Sequence, residues 1–248
     1  MFRPVPTDRI SQFIVDQIKE AVFQKKLNPG DKLPSERQLM SQFKTSRVTM
    51  REALRTLEQF GILEIRRGIE GGAFIRDPNT KFINNFLRDM FSMGKIRISN
   101  LTEARMAIEP FSVKLAAERI TDDALWKILQ NIQEAKDCLD KKNKNDARLL
   151  DLEFHRLIAQ ASQNPVIFFV IDSIMDIMEN NISSIPLAAK PVERTNQSHA
   201  EIYAALKDRD VRKAQDLMLK HIQEIHDALE ALSKKNLLPG FSTKNRKS

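Results

Sequence analysis

The stretch Pro29–Ile75, PGDKLPSERQLMSQFKTSRVTMREALRTLEQFGILEIRRGIEGGAFI, decides how the first third of the chain folds. Its opening "PGDKLP" breaks any helix. Ser35 then stands three residues before Gln38, the spacing of a capping box, in which a hydroxyl takes an orphan backbone N–H and the amide reaches back. That predicts a short helix ending near Phe43. Ser46 is a second good N-cap, and Met50, Ala53, Leu54, Leu57 and Phe60 mark the buried face of a longer helix that stops at Gly61. Two short apolar runs, "ILEI" and "AFI", flank "RRGIEGG", which reads as a small hairpin with a glycine-rich tip.

Outward from this stretch, the N-terminal side carries Ile10, Phe13, Ile14, Ile18, Ala21 and Val22 at helical spacing between Asp8 and Lys26. Helix, capped helix, turn, longer helix and glycine-tipped hairpin is the order of a winged helix-turn-helix, whose third helix enters the DNA major groove. Arg47, Arg51 and Arg55 fall at i, i+4 and i+8, a basic stripe opposite the Met50/Leu54/Leu57 face, with Thr49 beside it. Arginine grips guanine O6 and N7 bidentately or binds phosphate, and residues early in the recognition helix reach deepest. Arg47 and Arg51 are therefore the base-reading candidates, and Arg37 and Arg55 the phosphate contacts. Arg66 and Arg67, just before Gly68, stand where a wing follows the DNA backbone or enters the minor groove. A charge stripe on a helix is also what a merely solvated face looks like.

Beyond "DPN" at 77–79 the periodicity predicts seven helices and no strands, at about 80–93, 100–119, 122–142, 145–162, 165–184, 191–208 and 210–235. Thr121 with Asp122 and Asp123, Asn164 with Pro165, and Pro191 signal starts. Short connections imply a mainly antiparallel bundle. The fold class expected is thus mainly α: a winged helix-turn-helix with a small β-hairpin wing, then an all-α bundle of about seven helices. The domain expectation is 1–77 for DNA binding, 78–98 as a coupling helix with Phe82, Phe86, Leu87 and Phe91 on it, 99–236 for effector binding, and 237–248 as a basic tail. Charge follows that division. Residues 1–77 carry 14 Lys and Arg against 10 acids, the middle is slightly acidic, and the tail from Ser233 has five basic residues and no acid. The single cysteine, Cys138, cannot form a disulfide within the chain. No apolar run approaches the roughly 20 residues of a membrane span and no signal peptide is legible, so a cytoplasmic protein is expected.

Asp151 and His155, four apart in "DLEFHRLI", project from one helix face a turn apart. This is the spacing of two ligands of one ion, and equally of a surface hydrogen bond. His199 and His221 lie on later helices among inward-facing apolar residues. Three imidazoles and one carboxylate from three helices could surround a divalent transition ion with positions left open. Zn²⁺ is the default for such a set, and Ni²⁺, Mn²⁺ and Co²⁺ also suit it. His226 lies about 140° around the helix from His221 and is not expected to join.

Over Pro29–Ile75 the sequence closely resembles the DNA-binding module of GntR-type bacterial transcription regulators, with "PGDKLPSER", then "SRVTMREALRTL", then the glycine-rich wing. The resemblance implies operator contacts from Arg37, Ser46, Arg47, Thr49, Arg51 and the wing at Gly68. Farther on, "LTEARMAIEPFSVKLAAERI", "DLEFHRLIAQASQNPVI", "RTNQSHAEIYAAL" and "AQDLMLKHI" resemble the FCD domain of the FadR subfamily. That likeness places metal ligands on Asp151, His155, His199 and His221. It also implies that Arg105 and Arg194 clamp the carboxylate of an organic-acid effector, with Glu109 and Asn164 lining or bracing the cavity. For Arg105 and Glu109, an i, i+4 surface ion pair is the alternative. Ser198 stands where many relatives have a glutamate before the histidine, which weakens any supporting carboxylate inferred there. Together the modules imply a homodimer reading an inverted-repeat operator, probed by a small acid, rather than an enzyme. A metal-dependent hydrolase or lyase, or a sensor of the metal itself, are the other readings that an Asp/His₃ set permits.

Overall fold

The computed structural model describes residues 7–68, 70–76, 81–181 and 192–234. By packing, the chain divides into two units, residues 1–82 and 83–248.

The first unit holds α1 (Thr7–Phe23), α2 (Glu36–Phe43), α3 (Arg47–Gln59), β1 (Leu63–Arg66) and β2 (Gly72–Ile75). The capping box is present. The Ser35 amide donates to Gln38 Oε1 at 2.9 Å, while the Ser35 side chain accepts from the Gln38 amide. α2 ends on Lys44 in the left-handed conformation, and Ser46 starts α3 by accepting the Thr49 amide at 3.2 Å. β1 and β2 pair antiparallel, from Leu63 with Ile75 to Arg66 with Gly72. The tip demands glycine: a Cβ on Gly71 would collide with the Arg66 carbonyl oxygen, and Gly68 sits at φ +107°. Lys32 adds one bridge to Phe74, a rung that the sequence did not suggest. Ile14, Val15, Ile18, Leu39, Met50, Leu54, Leu57, Leu63 and Ile75 form the core. The buried stripe of α1 is rotated from the expected one, since Val15 is inside while Ile10 and Phe13 face solvent.

The second unit holds all but the first two residues of α4 (Lys81–Ser92), then α5 (Ile98–Arg119), α6 (Asp122–Asp140), α7 (Lys144–Ala161), α8 (Pro165–Asn180), α9 (Val192–Lys207) and α10 (Val211–Lys234). Thr121 caps α6 and Asn164 caps α8, with Pro165 at its first turn, where the missing N–H costs nothing. "DPN", Pro191 and the basic tail lie outside the described residues. Two apolar clusters fill the bundle. One joins α5, α6, α7, α9 and α10 through residues such as Val113, Ile128, Phe154, Ile202 and Met218. The other joins α5, α7 and α8 through Leu101, Leu152, Ile171 and Met175, with Leu87 and Phe91 of α4 against it. α4 is also held by polar contacts: Asn84 and Arg88 each donate to Asp176 of α8 at 3.2 Å. Arg156 of α7 ties the same helix through Asp172 and Glu179. Among the described residues, no helix is long and apolar enough to cross a membrane.

Candidate metal centre and nucleic-acid interface

α7, α9 and α10 bring Asp151, His155, His199 and His221 together, with one donor atom from each lying within 4.8 Å of all the others. His221 Nε2 is 3.2 Å from His199 Nε2 and 3.3 Å from His155 Nε2, and His199 Nε2 is 3.3 Å from Asp151 Oδ1. The imidazoles are buried and Asp151 is half-buried. A neutral imidazole nitrogen carries one proton or one lone pair, so His221 Nε2 cannot make two good hydrogen bonds to like neighbours at once. Donors about 2.0–2.1 Å from a tetrahedral ion stand about 3.3 Å apart. The convergence of these nitrogens with a carboxylate therefore suits a divalent metal. Asp151 and His155 are ready partners because α7 presents i and i+4 on one side, but only the packing of three helices supplies the rest.

Glu109 of α5 braces this group. Its Oε2 lies 2.5 Å from His155 Nδ1 and its Oε1 2.5 Å from Arg105 Nε. A carboxylate on Nδ1 favours the tautomer that turns the Nε2 lone pair toward the other donors. Burial opposes the charge of Glu109, but Arg105 and His155 outweigh it and hold the carboxyl down at about 2. The supporting carboxylate thus arrives from α5, not from the helix before His199, where the Ser198 hydroxyl donates to the Arg194 carbonyl. Phe154 lies flat on His199, with centroids 3.7 Å apart and planes 8° from parallel, so a buried ring fixes that imidazole. The surface-pair alternative for Arg105 and Glu109 is overturned: both are about 1% exposed. Arg105 Nη1 reaches Met178 Sδ, and its Nη2 has no hydrogen-bond partner among the described residues. A buried guanidinium with a spare N–H is chemistry suited to an anionic oxygen.

The other expected effector residues are placed differently. Arg194 is exposed and donates to Glu224 Oε1 at 3.0 Å. It lines a cavity of about 170 Å³ together with Gln197, Lys220 and His221, so it approaches the donors from the solvent side. Arg105 approaches through Glu109 and His155 instead. Asn164 spends its carboxamide oxygen on the Val166 and Ile167 amides, at 3.1 and 3.3 Å. That cap accounts for Asn164, and nothing brings it to the donors. His226 keeps apart, with Nδ1 2.7 Å from the Thr102 hydroxyl of α5. Arg148 was missed. It stands one turn before Asp151, and burial pushes its guanidinium below its ordinary value while Asp151 opposes the shift. Its i, i+3 spacing to Asp151 was the available signal.

In the first unit, Arg47, Arg51 and Arg55 line one open groove of about 890 Å³ with Lys32, Gln38 and the strand residues Ile65 and Gly72. Arg37, Arg67 and Gly68 are exposed too. Arg47 is held loosely by Glu36 of α2 at 3.1 Å, and Arg66 pairs with Glu64 and stacks on Phe74, 4.4 Å from its centroid. Thr49 does not join this face. It is 2% exposed, and its hydroxyl lies 2.9 Å from the Ser46 hydroxyl, so it braces the start of α3. Ser46 is exposed while serving as the cap.

A winged helix-turn-helix with a basic groove, joined in one chain to a helical bundle that gathers buried metal-type donors, is the architecture of a DNA-binding regulator with a second, all-helical domain. Residues 10–75 match the bacterial regulatory proteins of the gntR family, and residues 100–224 match the FCD domain. The chain is 32% identical to the HTH-type transcriptional regulator YcbG of Bacillus subtilis, over 89% of this chain and 90% of that one. It is 27% identical to the HTH-type transcriptional repressor NanR of Cronobacter sakazakii, over 94% and 90%. Its fold is similar to that of the Streptococcus agalactiae GntR structure, with a TM-score of 0.69 at 26% identity, covering 88% of this chain and 99% of that one. The chain belongs to the GntR family, with an FCD domain as its second unit. It is a transcription regulator and not an enzyme, so the hydrolase or lyase reading is set aside.

Proposed function

We propose that this regulator is a FadR-subfamily repressor that binds an inverted-repeat operator as a homodimer and is released by a small organic acid sensed beside a metal in the helical unit. The observation that carries this reading is the meeting of four metal-type donors within 4.8 Å of one another, backed through Glu109 by a buried arginine whose Nη2 has no hydrogen-bond partner among the described residues. Asp151, His155, His199 and His221 would hold the ion, Zn²⁺ by default, with Ni²⁺, Mn²⁺ and Co²⁺ suited to the same donors. Bound there, a divalent ion supplies a positive centre that accepts a further oxygen. Glu109 orients His155, Phe154 orients His199, and Arg105 offers its free N–H to a carboxylate. Arg194 would exchange Glu224 for an incoming anion at the solvent side. On DNA, Arg47 and Arg51 would read bases, with Arg37, Arg55, Arg67 and the Gly68 tip on the backbone.

An acid can release the operator only by binding the DNA-incompetent arrangement more tightly than the competent one. The test is to measure the metal content of the purified protein, then to titrate mono- and dicarboxylic acids against its binding to the DNA upstream of its own gene. Metal-loaded protein is expected to lose DNA affinity by roughly 5- to 150-fold with the right acid. Metal-stripped protein should keep DNA binding and lose that response. Full release by metal alone would make the ion the signal, and protein that takes up no divalent metal would end the metal reading.

A further inference from the structure

We propose that Val48 reads the C5-methyl group of a thymine in the operator, making it a specificity-determining residue of the recognition helix. The inference rests on the DNA-binding reading of the first unit and deepens it. Val48 is 76% exposed, matched among the exposed large apolar side chains only by Phe23 within the described residues. It is the second residue of α3, directly after Arg47 and one turn before Arg51, both of which line the basic groove. The core does not need it. Met50, Ala53, Leu54 and Leu57 form the buried face, and Val48 lies about 200° around the helix from Met50. Capping does not need it either, since Ser46 and Thr49 make those bonds. A β-branched residue at an open helix position is less favourable than alanine, so its presence there is not explained by local helix stability.

The chemistry of the major groove supplies a partner. Its floor is a row of hydrogen-bond donors and acceptors, and the one apolar group it displays is the thymine methyl. Residues in the first turn of a recognition helix reach base edges. Val48 has no polar atom on its side chain, so it can contribute sequence information only by apolar contact. Around the helix Arg47 and Arg51 lie about 100° and 60° to one side of Val48, so the two cations draw the DNA in and leave the valine methyls facing the bases next to those they contact. The operator half-site should therefore hold a thymine beside the base or bases that the two arginines contact.

The test uses the full-length protein and a random duplex library from which wild type selects its preferred sequence. The selected duplex is then made with deoxyuridine in place of thymidine, which removes the methyl and leaves the Watson–Crick edge unchanged. Wild type is expected to bind the uracil duplex about 3- to 10-fold more weakly, while Val48→Ser binds both duplexes equally. Val48→Ala, with fewer methyl contacts, should fall between. Equal binding of both duplexes by wild type, or an unchanged thymine preference in Val48→Ser, overturns the assignment. If wild type selects no sequence at all, the DNA-binding reading fails, and the Val48 assignment with it.

Discussion

Glu109 shows how one side chain serves packing and function at once. It faces Arg105 with one oxygen and His155 with the other, fully inside the bundle. Removing one partner of a buried pair leaves the other charge uncompensated, which costs about 3–5 kcal/mol. Glu109→Ala is therefore expected to lower the stability of the helical unit by about that amount in urea unfolding. Arg105→Met combined with Glu109→Leu should recover most of the loss, because a well-packed apolar pair has no charge to strand. The double variant should still lose the response to acid. The same scale separates the two proposed sites. His199→Ala should reduce bound metal and acid response while leaving basal DNA binding intact, and Arg51→Ala should weaken DNA binding and leave metal content unchanged; metal analysis and DNA titration decide both.

Among the elements, α7 carries the most relations. Its residues Asp151 and His155 enter the donor group, Phe154 and Leu152 enter different apolar clusters, and Arg156 ties α8. α8 in turn holds α4 through Asp176, which accepts from Asn84 and Arg88. A carboxylate at Asp176 thus joins the first helix of the bundle to its interior. Asp176→Ala is expected to destabilise the docking of residues 83–92, seen as amide hydrogen exchange rising in that segment while α5 and α10 remain protected. Unchanged exchange there would show that Leu87 and Phe91 alone hold α4. Half-exposed ion pairs contribute modestly, so the loss in global stability should be about 1 kcal/mol or less.

At the scale of the whole molecule, the two units have separate cores, and each should respond to its own ligand. A ligand that binds only the native state stabilises the unit that holds it. Chelation is therefore expected to lower the melting temperature of the helical unit and leave the winged unit unmoved, seen as two calorimetric transitions of which one shifts. Raising salt from 50 to 200 mM should weaken DNA binding steeply, because the groove arginines act by displacing condensed cations.

Local chemistry was legible from the chain alone. The capping serines, the glycine tip and the apolar spacing of α2 through α10 read directly, because each depends on neighbours within a few residues. The histidines on α9 and α10 could be assigned to inward faces for the same reason. What tertiary structure decided were the relations between helices and the rotation of each. Thr49 looked like a groove residue but is buried against Ser46, while its neighbour Val48 faces out. Glu109 and His155, 46 positions apart in the chain, have no periodicity that pairs them. Their contact exists because α5 packs on α7, and helical spacing reports the direction of a side chain but not which helix lies opposite.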